Sequence, residues 1–293
     1  MRYSFRQLEV FLATARTQNI SRAARSLSMS QSAASGALRD LESQFDMLLF
    51  DRAGKRLKLN ERGRALQPRA EALLEQAAAL ERSLAGFDDL GRLKVGATLT
   101  IGNYLAVSLL ARFMEEYPDA EVSLTVDNTA HIAAEVAAFE LDVGLIEGEL
   151  NHRELQVTPW RADELRVFCA PDHPYAEKGA LGDADLRSAT WILREAGSGT
   201  RQTFDRAMHG LLPELNVLLE LQHTEAILHA VGAGLGVGCL SRIVLESAFA
   251  RGTLKALEVP ARNFERRFYF VLHRQKHLSA GIRRWLQLCR EAP

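Results

Sequence analysis

From Asn19 to Glu42 apolar residues recur three and four positions apart, a spacing that predicts two short amphipathic helices joined by a tight turn. In the first, Ala23, Ala24 and Leu27 share one face; in the second, Ala34, Leu38 and Leu41 do. The small Ala and Ser residues let the two helices cross closely, which is the build of a helix-turn-helix. Gln31, Ser32, Ser35 and Arg39 then fall on the exposed beginning and outer face of the second helix, where they are the candidate contacts to a DNA major groove. The same periodicity also suits any pair of helices in a globular core.

The pattern then changes period. Leu48–Arg52 and Leu57–Asn60 flank Ala53-Gly54-Lys55-Arg56, and Leu57 and Leu59 alternate with Lys58, so a β hairpin is expected, with Gly54 permitting its turn. Placed directly after a helix-turn-helix, such a hairpin is a wing, and Arg52, Lys55, Arg56 and Lys58 can reach phosphates or the adjacent minor groove. Alone, a basic turn is also what a solvated hairpin tip looks like. From Arg64 through Phe87 the chain returns to helical spacing, with Leu66, Leu73, Leu74, Ala77, Leu80 and Leu84 in one stripe. Pairing with a second copy would bury that stripe and set two heads a fixed distance apart. Packing back on its own chain is the other use.

Beyond Arg92 strands and helices alternate. Strands are expected at Leu93–Ala97, Glu121–Val126 and Val143–Ile146, and helices at Asn103–Tyr117 and Thr129–Phe139. A second unit runs from about Leu165 to Leu257, with strands at Leu165–Cys169, Thr190–Leu193, Val217–Leu221 and Val237–Leu240. Phe268–Leu272 and a terminal helix through Cys289 return to the first unit. Crossing segments of this kind imply two sublobes with a ligand cleft between them. The fold class is therefore α/β with a helical, winged head. The expected divisions are residues 1–63 for the head, 64–90 for a linker helix and 91–293 for an effector domain, with sublobe I at about 91–162 and 267–293 and sublobe II at about 163–266.

Charge separates the same regions. Residues 1–70 carry 13 Lys and Arg against 6 Asp and Glu, whereas residues 71–293 carry 23 against 31, an asymmetry hidden by the net charge of −1. A basic module suits a polyanion, whose binding releases counterions. With 293 residues and 47% hydrophobic content the chain can form real cores in more than one domain. It shows no signal-peptide pattern and no apolar run approaching about 18 residues, so a cytoplasmic protein with no membrane partner is expected. Cys169, Cys239 and Cys289 are far apart and lack metal-ligand spacing, so they read as reduced thiols, with neither metal nor cofactor expected.

The order of these features resembles the LysR-type family of bacterial transcriptional regulators over essentially the whole chain. The most specific stretch is Ala23-Ala24-Arg25-Ser26-Leu27-Ser28-Met29-Ser30-Gln31-Ser32-Ala33-Ala34-Ser35, followed by Leu41-Glu42, Leu49-Phe50-Asp51-Arg52 and Leu59-Asn60-Glu61-Arg62-Gly63. The resemblance implies a winged helix-turn-helix that binds double-stranded operator DNA as a dimer or tetramer, a linker helix, a periplasmic-binding-protein-like co-inducer domain and contact with RNA polymerase. A ligand-binding protein without a specific DNA target is the alternative. Ser32, Gly36 and Asn60 depart from the usual Pro, polar residue and Thr. Gly36 costs roughly 1 kcal/mol of helix propensity relative to Ala.

In the second domain Thr98 and Thr100 lie at a strand end and helix start, where free N–H groups make a natural anion cradle; simple capping is the alternative. Arg194-Glu195-Ala196-Gly197-Ser198-Gly199-Thr200-Arg201 repeats the arrangement, with hydroxyls from Ser198 and Thr200 and a guanidinium from Arg201 that could clamp an oxyanion. By resemblance this stretch is similar to the branch that answers to sulfur or carbon-assimilation metabolites, and Thr98, Thr100, Thr129, Ile146, Ser198, Thr200, His223 and Thr224 match positions lining the effector cleft. Many donors and few aromatics favour a small oxyanion or short acid. The glycine run Gly232–Gly238 follows a helix and precedes a strand, the reverse of a dinucleotide-binding turn. Nucleophile-elbow, metalloprotease and phosphate-loop motifs are absent, and an oxyanion contact is a simpler use of Ser198 than a catalytic pair with His223, so an enzyme is not expected.

Overall fold

The computed structural model describes residues 2–53, 56–84, 90 and 92–292. Helix α1 (Phe5–Thr17) starts at a capping box: Ser4 Oγ accepts from Gln7 N and Gln7 Oε1 accepts from Ser4 N. Asn19 caps α2 (Ile20–Ser26) by accepting from the Ser21 and Arg22 amides, and Ser30 caps α3 (Gln31–Gln44). Their apolar faces meet in one cluster that includes Leu8, Phe11, Ala24, Ala34, Leu38 and Leu41, with Leu27 packed at its edge. Strands β1 (Phe50–Ala53) and β2 (Arg56–Leu59) pair antiparallel, with Phe50 opposite Leu59, and form the expected hairpin.

Helix α4 (Glu61–Leu84) follows at once. Gly63 in its first turn lies so close to the Leu49 carbonyl that a Cβ would collide with it. Asn60 takes the cap, its Oδ1 accepting from Gly63 N at 2.9 Å while its Nδ2 donates to Leu48 O at 2.8 Å. The α4 stripe divides. Leu66, Leu73 and Leu74 pack on the head's own cluster around buried Ala70, and Arg16 pairs with Glu71 at 2.7 Å. Leu80 and Leu84 are 62% and 79% exposed. One helix thus has a folded-back half and an open half; the expected end at Phe87 lies outside the described residues.

The chain separates into two compact units, Met1–Gly91 with Gln275–Gly281, and Arg92–Arg274 with Ile282–Pro293. Residues 275–281 thus leave the sublobe in which the sequence pattern put them. Lys276 Nζ donates to Glu75 Oε1 at 2.7 Å within the first unit.

The second unit opens with β3 (Arg92–Thr98) and a continuous helical run made of α5 (Leu99–Ile101), a π turn (Gly102–Ala106) and α6 (Val107–Glu116). β4 (Glu121–Asp127), α7 (Thr129–Ala137) and β5 (Val143–Glu147) complete one lobe. The long β6 (Leu155–Cys169) begins well before the expected Leu165 and leads through α8 (Asp183–Ser188) into β7 (Thr190–Arg194), α9 (Gly199–Ala207), β8 (Asn216–Leu221), α10 (Thr224–Gly232), β9 (Val237–Ser241), α11 (Arg242–Ala250) and β10 (Lys255–Leu257). β11 (Glu265–His273) crosses back, and α12 (Ala280–Glu291) ends the chain. No helix among the described residues is long and apolar enough to cross a membrane.

The strand order is β4-β3-β5-β11-β6-β9-β7-β8, with β10 beside β6. β4, β3 and β5 run parallel, as do β9, β7 and β8, and antiparallel β6 and β11 join the two triplets. The carboxyl ends of both parallel triplets therefore face each other, the usual place for a ligand in such sheets. Trp191, Leu193, Phe204 and Met208 anchor the core on the α9 face of β7, while Ile192, Ile227, Val231 and Val244 anchor it on the α10 and α11 face.

Candidate functional site

In the head, Ala34, Leu38 and Leu41 turn inward and Gln31, Ser32 and Arg39 are exposed, with Ser35 half-buried beside them. Ser32 Oγ lies 3.0 Å from Ser30 Oγ, so it also belongs to the cap. Arg39, Arg56 and Lys58 are exposed and make no ion pair among the described residues. Arg52 belongs to β1, but its side chain, like the whole of Lys55, lies outside the described residues. A helix that leaves Gln31 and Arg39 exposed, followed by a hairpin with exposed Arg56 and Lys58, can place base contacts and phosphate contacts side by side.

In the effector domain the residues around the start of α9 are internally bonded. Ser198 caps α9, its Oγ accepting from the Thr200 and Arg201 amides at 3.2 and 3.5 Å, which leaves its own proton to give. Gly199 sits against the Glu147 carbonyl, leaving no room for a Cβ. Thr129 Oγ1 donates to that same carbonyl at 2.9 Å, and the Ala130 amide donates to Gly197 O at 3.3 Å. Thr200 Oγ1 lies 3.2 Å from Glu147 Oε1 and accepts from Arg266 Nη1 at 3.0 Å. Because the arginine can only donate, the Thr200 proton goes to Glu147.

Arg266 is the centre of this set of bonds and was not singled out from the sequence. Its Nε donates to Asp163 Oδ2 at 2.6 Å and its Nη2 lies 2.8 Å from Glu147 Oε2, with all three side chains 1–2% exposed. Ser241 Oγ donates to the other Asp163 oxygen at 2.8 Å. This network ties β5, β6, β9, β11 and α9 together. Arg201 also turns inward: its Nε donates to Asp205 and its Nη1 to Glu220 and to the Arg194 carbonyl, at 2.7–3.0 Å, so its charge is already met. Ile146 is fully buried with Ile132, Val136, Leu155 and Val271, so its side chain packs in the core of that lobe.

Two buried hydroxyls of the effector domain are unmet. Thr98 and Thr224, at the starts of the α5–α6 run and of α10, are each 1% exposed, and their Oγ1 atoms have no hydrogen-bond partner. A buried hydroxyl left unpaired costs about 1–3 kcal/mol. Thr100 is buried two residues on from Thr98, and His223 is the exposed cap residue before Thr224. Tyr104, from the π turn, packs on the Ile227 cluster of the opposite lobe and donates its hydroxyl to Glu225 at 2.6 Å. Burial, then the bond to Glu225 and its charge, push that phenol well above its ordinary range. Tyr104 and Glu225 carried no sequence signal beyond lying near the cradle residues.

A groove of 1410 Å³ runs along the crossing strands past Tyr104, Asp163, Arg266 and Arg267. None of Thr98, Ser198, Thr200 or Thr224 lines it, and its Arg206, Arg242 and Arg262 each face a carboxylate. Burial raises all three thiols, Cys169 to about 11 and Cys289 to about 12, with Cys239 fully enclosed. They stay protonated near neutral pH and offer no thiolate.

A winged helix-turn-helix followed by a two-lobed α/β domain defines a DNA-binding regulator of the effector-binding kind. Residues 5–64 match the bacterial regulatory helix-turn-helix protein model of the lysR family, and residues 88–293 match the LysR substrate binding domain. The chain belongs to the LysR family, and it is a sequence-specific DNA-binding transcriptional regulator. It is 44% identical over 289 residues to the uncharacterized HTH-type transcriptional regulator YeiE of Escherichia coli K12, covering 99% of this chain and 98% of that one. The HTH-type transcriptional regulator CysL of Bacillus subtilis is 30% identical over 269 residues, covering 90% and 89%. Among solved structures, the regulatory domain of CcmR from Synechocystis PCC6803 in complex with 2-PG superposes with a TM-score of 0.63 at 32% identity, covering 68% of this chain and 96% of that one.

Proposed function

We propose that a small anion, an oxyanion or a short acid, binds between the lobes and controls DNA binding by this regulator. The observation that carries the reading is the pair of buried, unpartnered hydroxyls of Thr98 and Thr224 at helix starts on opposite lobes. Thr100, the free Ser198 proton and the N–H groups of those helix starts complete the donor set, which can replace an anion's hydration shell. Thr129, Thr200 and Arg201, bonded within the protein, support the site from behind, and His223 stands at its rim. The CcmR regulatory domain is a relative solved with a ligand, 2-PG.

The anion acts by binding one geometry of the assembly more tightly than another, since only differential affinity shifts an equilibrium. The assembly is a dimer or a tetramer built through the exposed Leu80 and Leu84 face of α4, and it engages RNA polymerase at the promoter. Calorimetric titration with sulfate, sulfite, thiosulfate, phosphate and short carboxylic acids tests the ligand. At least one should bind, and Thr98→Val or Thr224→Val should weaken it by about tenfold or more, about 1.4 kcal/mol, with circular dichroism unchanged. Flat titrations throughout, or affinity in both variants equal to that of the parent, would remove the anion reading and leave the DNA-binding one intact.

A further inference from the structure

Arg194 ends β7 and is 1% exposed. Its Nε and Nη2 form a fork on Glu195, at 2.8 Å to Oε2 and 3.0 Å to Oε1, while Nη1 is buried with no hydrogen-bond partner. A guanidinium N–H left in that position lacks the partner that buried charged donors require.

The strand pattern places this donor. Trp191 and Leu193 pack in the cluster of α9, whereas Ile192 packs in the cluster of Ile227 and Val231 from α10. Side chains alternate along a strand, so Arg194 shares the face of Ile192 and lies on the α10 side. Register pairs Arg194 with Leu221, the last residue of β8, and the chain then turns through His223 to Thr224. Arg194 and Thr224 thus stand at the same end of adjacent strands, near the start of α10. Tyr104 reaches this end from the other lobe, on the segment that follows Thr98. Arg194 Nη1 and Thr224 Oγ1 from one lobe and Thr98 Oγ1 from the other are all buried donors without a partner.

Resting on the cleft reading above, we propose that Arg194 Nη1 is the charged contact of the effector, and that Glu195 restricts that effector to a compact, singly charged anion. The fork makes Arg194 and Glu195 a formally neutral pair, so the arginine supplies direction and a strong donor without a surplus positive charge. Each further negative charge on the ligand meets the Glu195 carboxylate at close range, and the partly buried Arg201 and the buried Arg266 are already committed to carboxylates.

The test titrates the full-length protein with acetate, formate, sulfite, sulfate and phosphate. Glu195→Gln keeps an acceptor for the arginine and removes the opposing charge. It should tighten the bound anion by about tenfold and improve binding of doubly charged anions most. Arg194→Lys should weaken the same anion by about tenfold or more. If Arg194→Lys fails to fold, Glu195→Gln decides alone. Unchanged or weaker binding in folded Glu195→Gln, where Thr98→Val still weakens binding, overturns the role of the Arg194 and Glu195 pair and spares the cleft reading. No binding of any of these anions by the parent protein overturns both.

Discussion

In the head, Arg39, Arg56 and Lys58 stand in solvent without a carboxylate partner among the described residues, whereas in the effector domain the largely buried Arg201, Arg262 and Arg266 face Asp or Glu at 2.6–2.8 Å. The same kind of side chain has two uses. An exposed, unpaired cation keeps its hydration and remains available to a phosphate, while a buried cation must find its counter-charge within the fold. The basic residues of the first 70 positions thus include cations left open to solvent, whereas these arginines of the second domain brace the fold.

The largest effect should come from breaking the buried set. Arg266→Met leaves Glu147 and Asp163 enclosed without their cation, and should cost about 3–5 kcal/mol in urea unfolding. A loss below about 1 kcal/mol would mean that the carboxylates reach water and that the contrast between the domains is overstated. On the exposed side, Arg39→Ala should change stability little, but lower discrimination between the matched operator and single-base variants by about 1–3 kcal/mol. Equal weakening on every sequence would make Arg39 a phosphate contact. Arg56→Ala and Lys58→Ala should have the smallest effect, each reducing the slope of log affinity against log salt by about 0.9 on matched and scrambled duplexes alike. An unchanged slope would remove the wing from the interface.

The head was largely legible because its determinants are local. Ala34, Leu38 and Leu41 point inward as their spacing requires, and the hairpin follows from alternation around a turn. The linker was half legible: a stripe shows that a helix has an apolar face but not what covers it, and here the head covers Leu66, Leu73 and Leu74 while Leu80 stays open. The early part of β6 was missed because Leu155 to Glu164 includes Pro159 and a mixture of charges, and its strand character depends on pairing with β11.

In the effector domain, hydroxyls beside predicted helix starts could be found from the sequence, and Thr98, Ser198 and Thr224 do occupy such starts. Which hydroxyls are free could not. Thr200 is engaged by Glu147 and Arg266, far away in the chain, while the hydroxyls of Thr98 and Thr224 have no such neighbour. The order of elements, the basic head and the α/β grammar can be read from the chain alone, because helix and strand periods and local charge act over a few residues. The pairing of arginines and the donors left unmet emerge only on folding, because a buried charge or hydroxyl is satisfied by whatever the fold brings within about 3 Å, however distant in sequence.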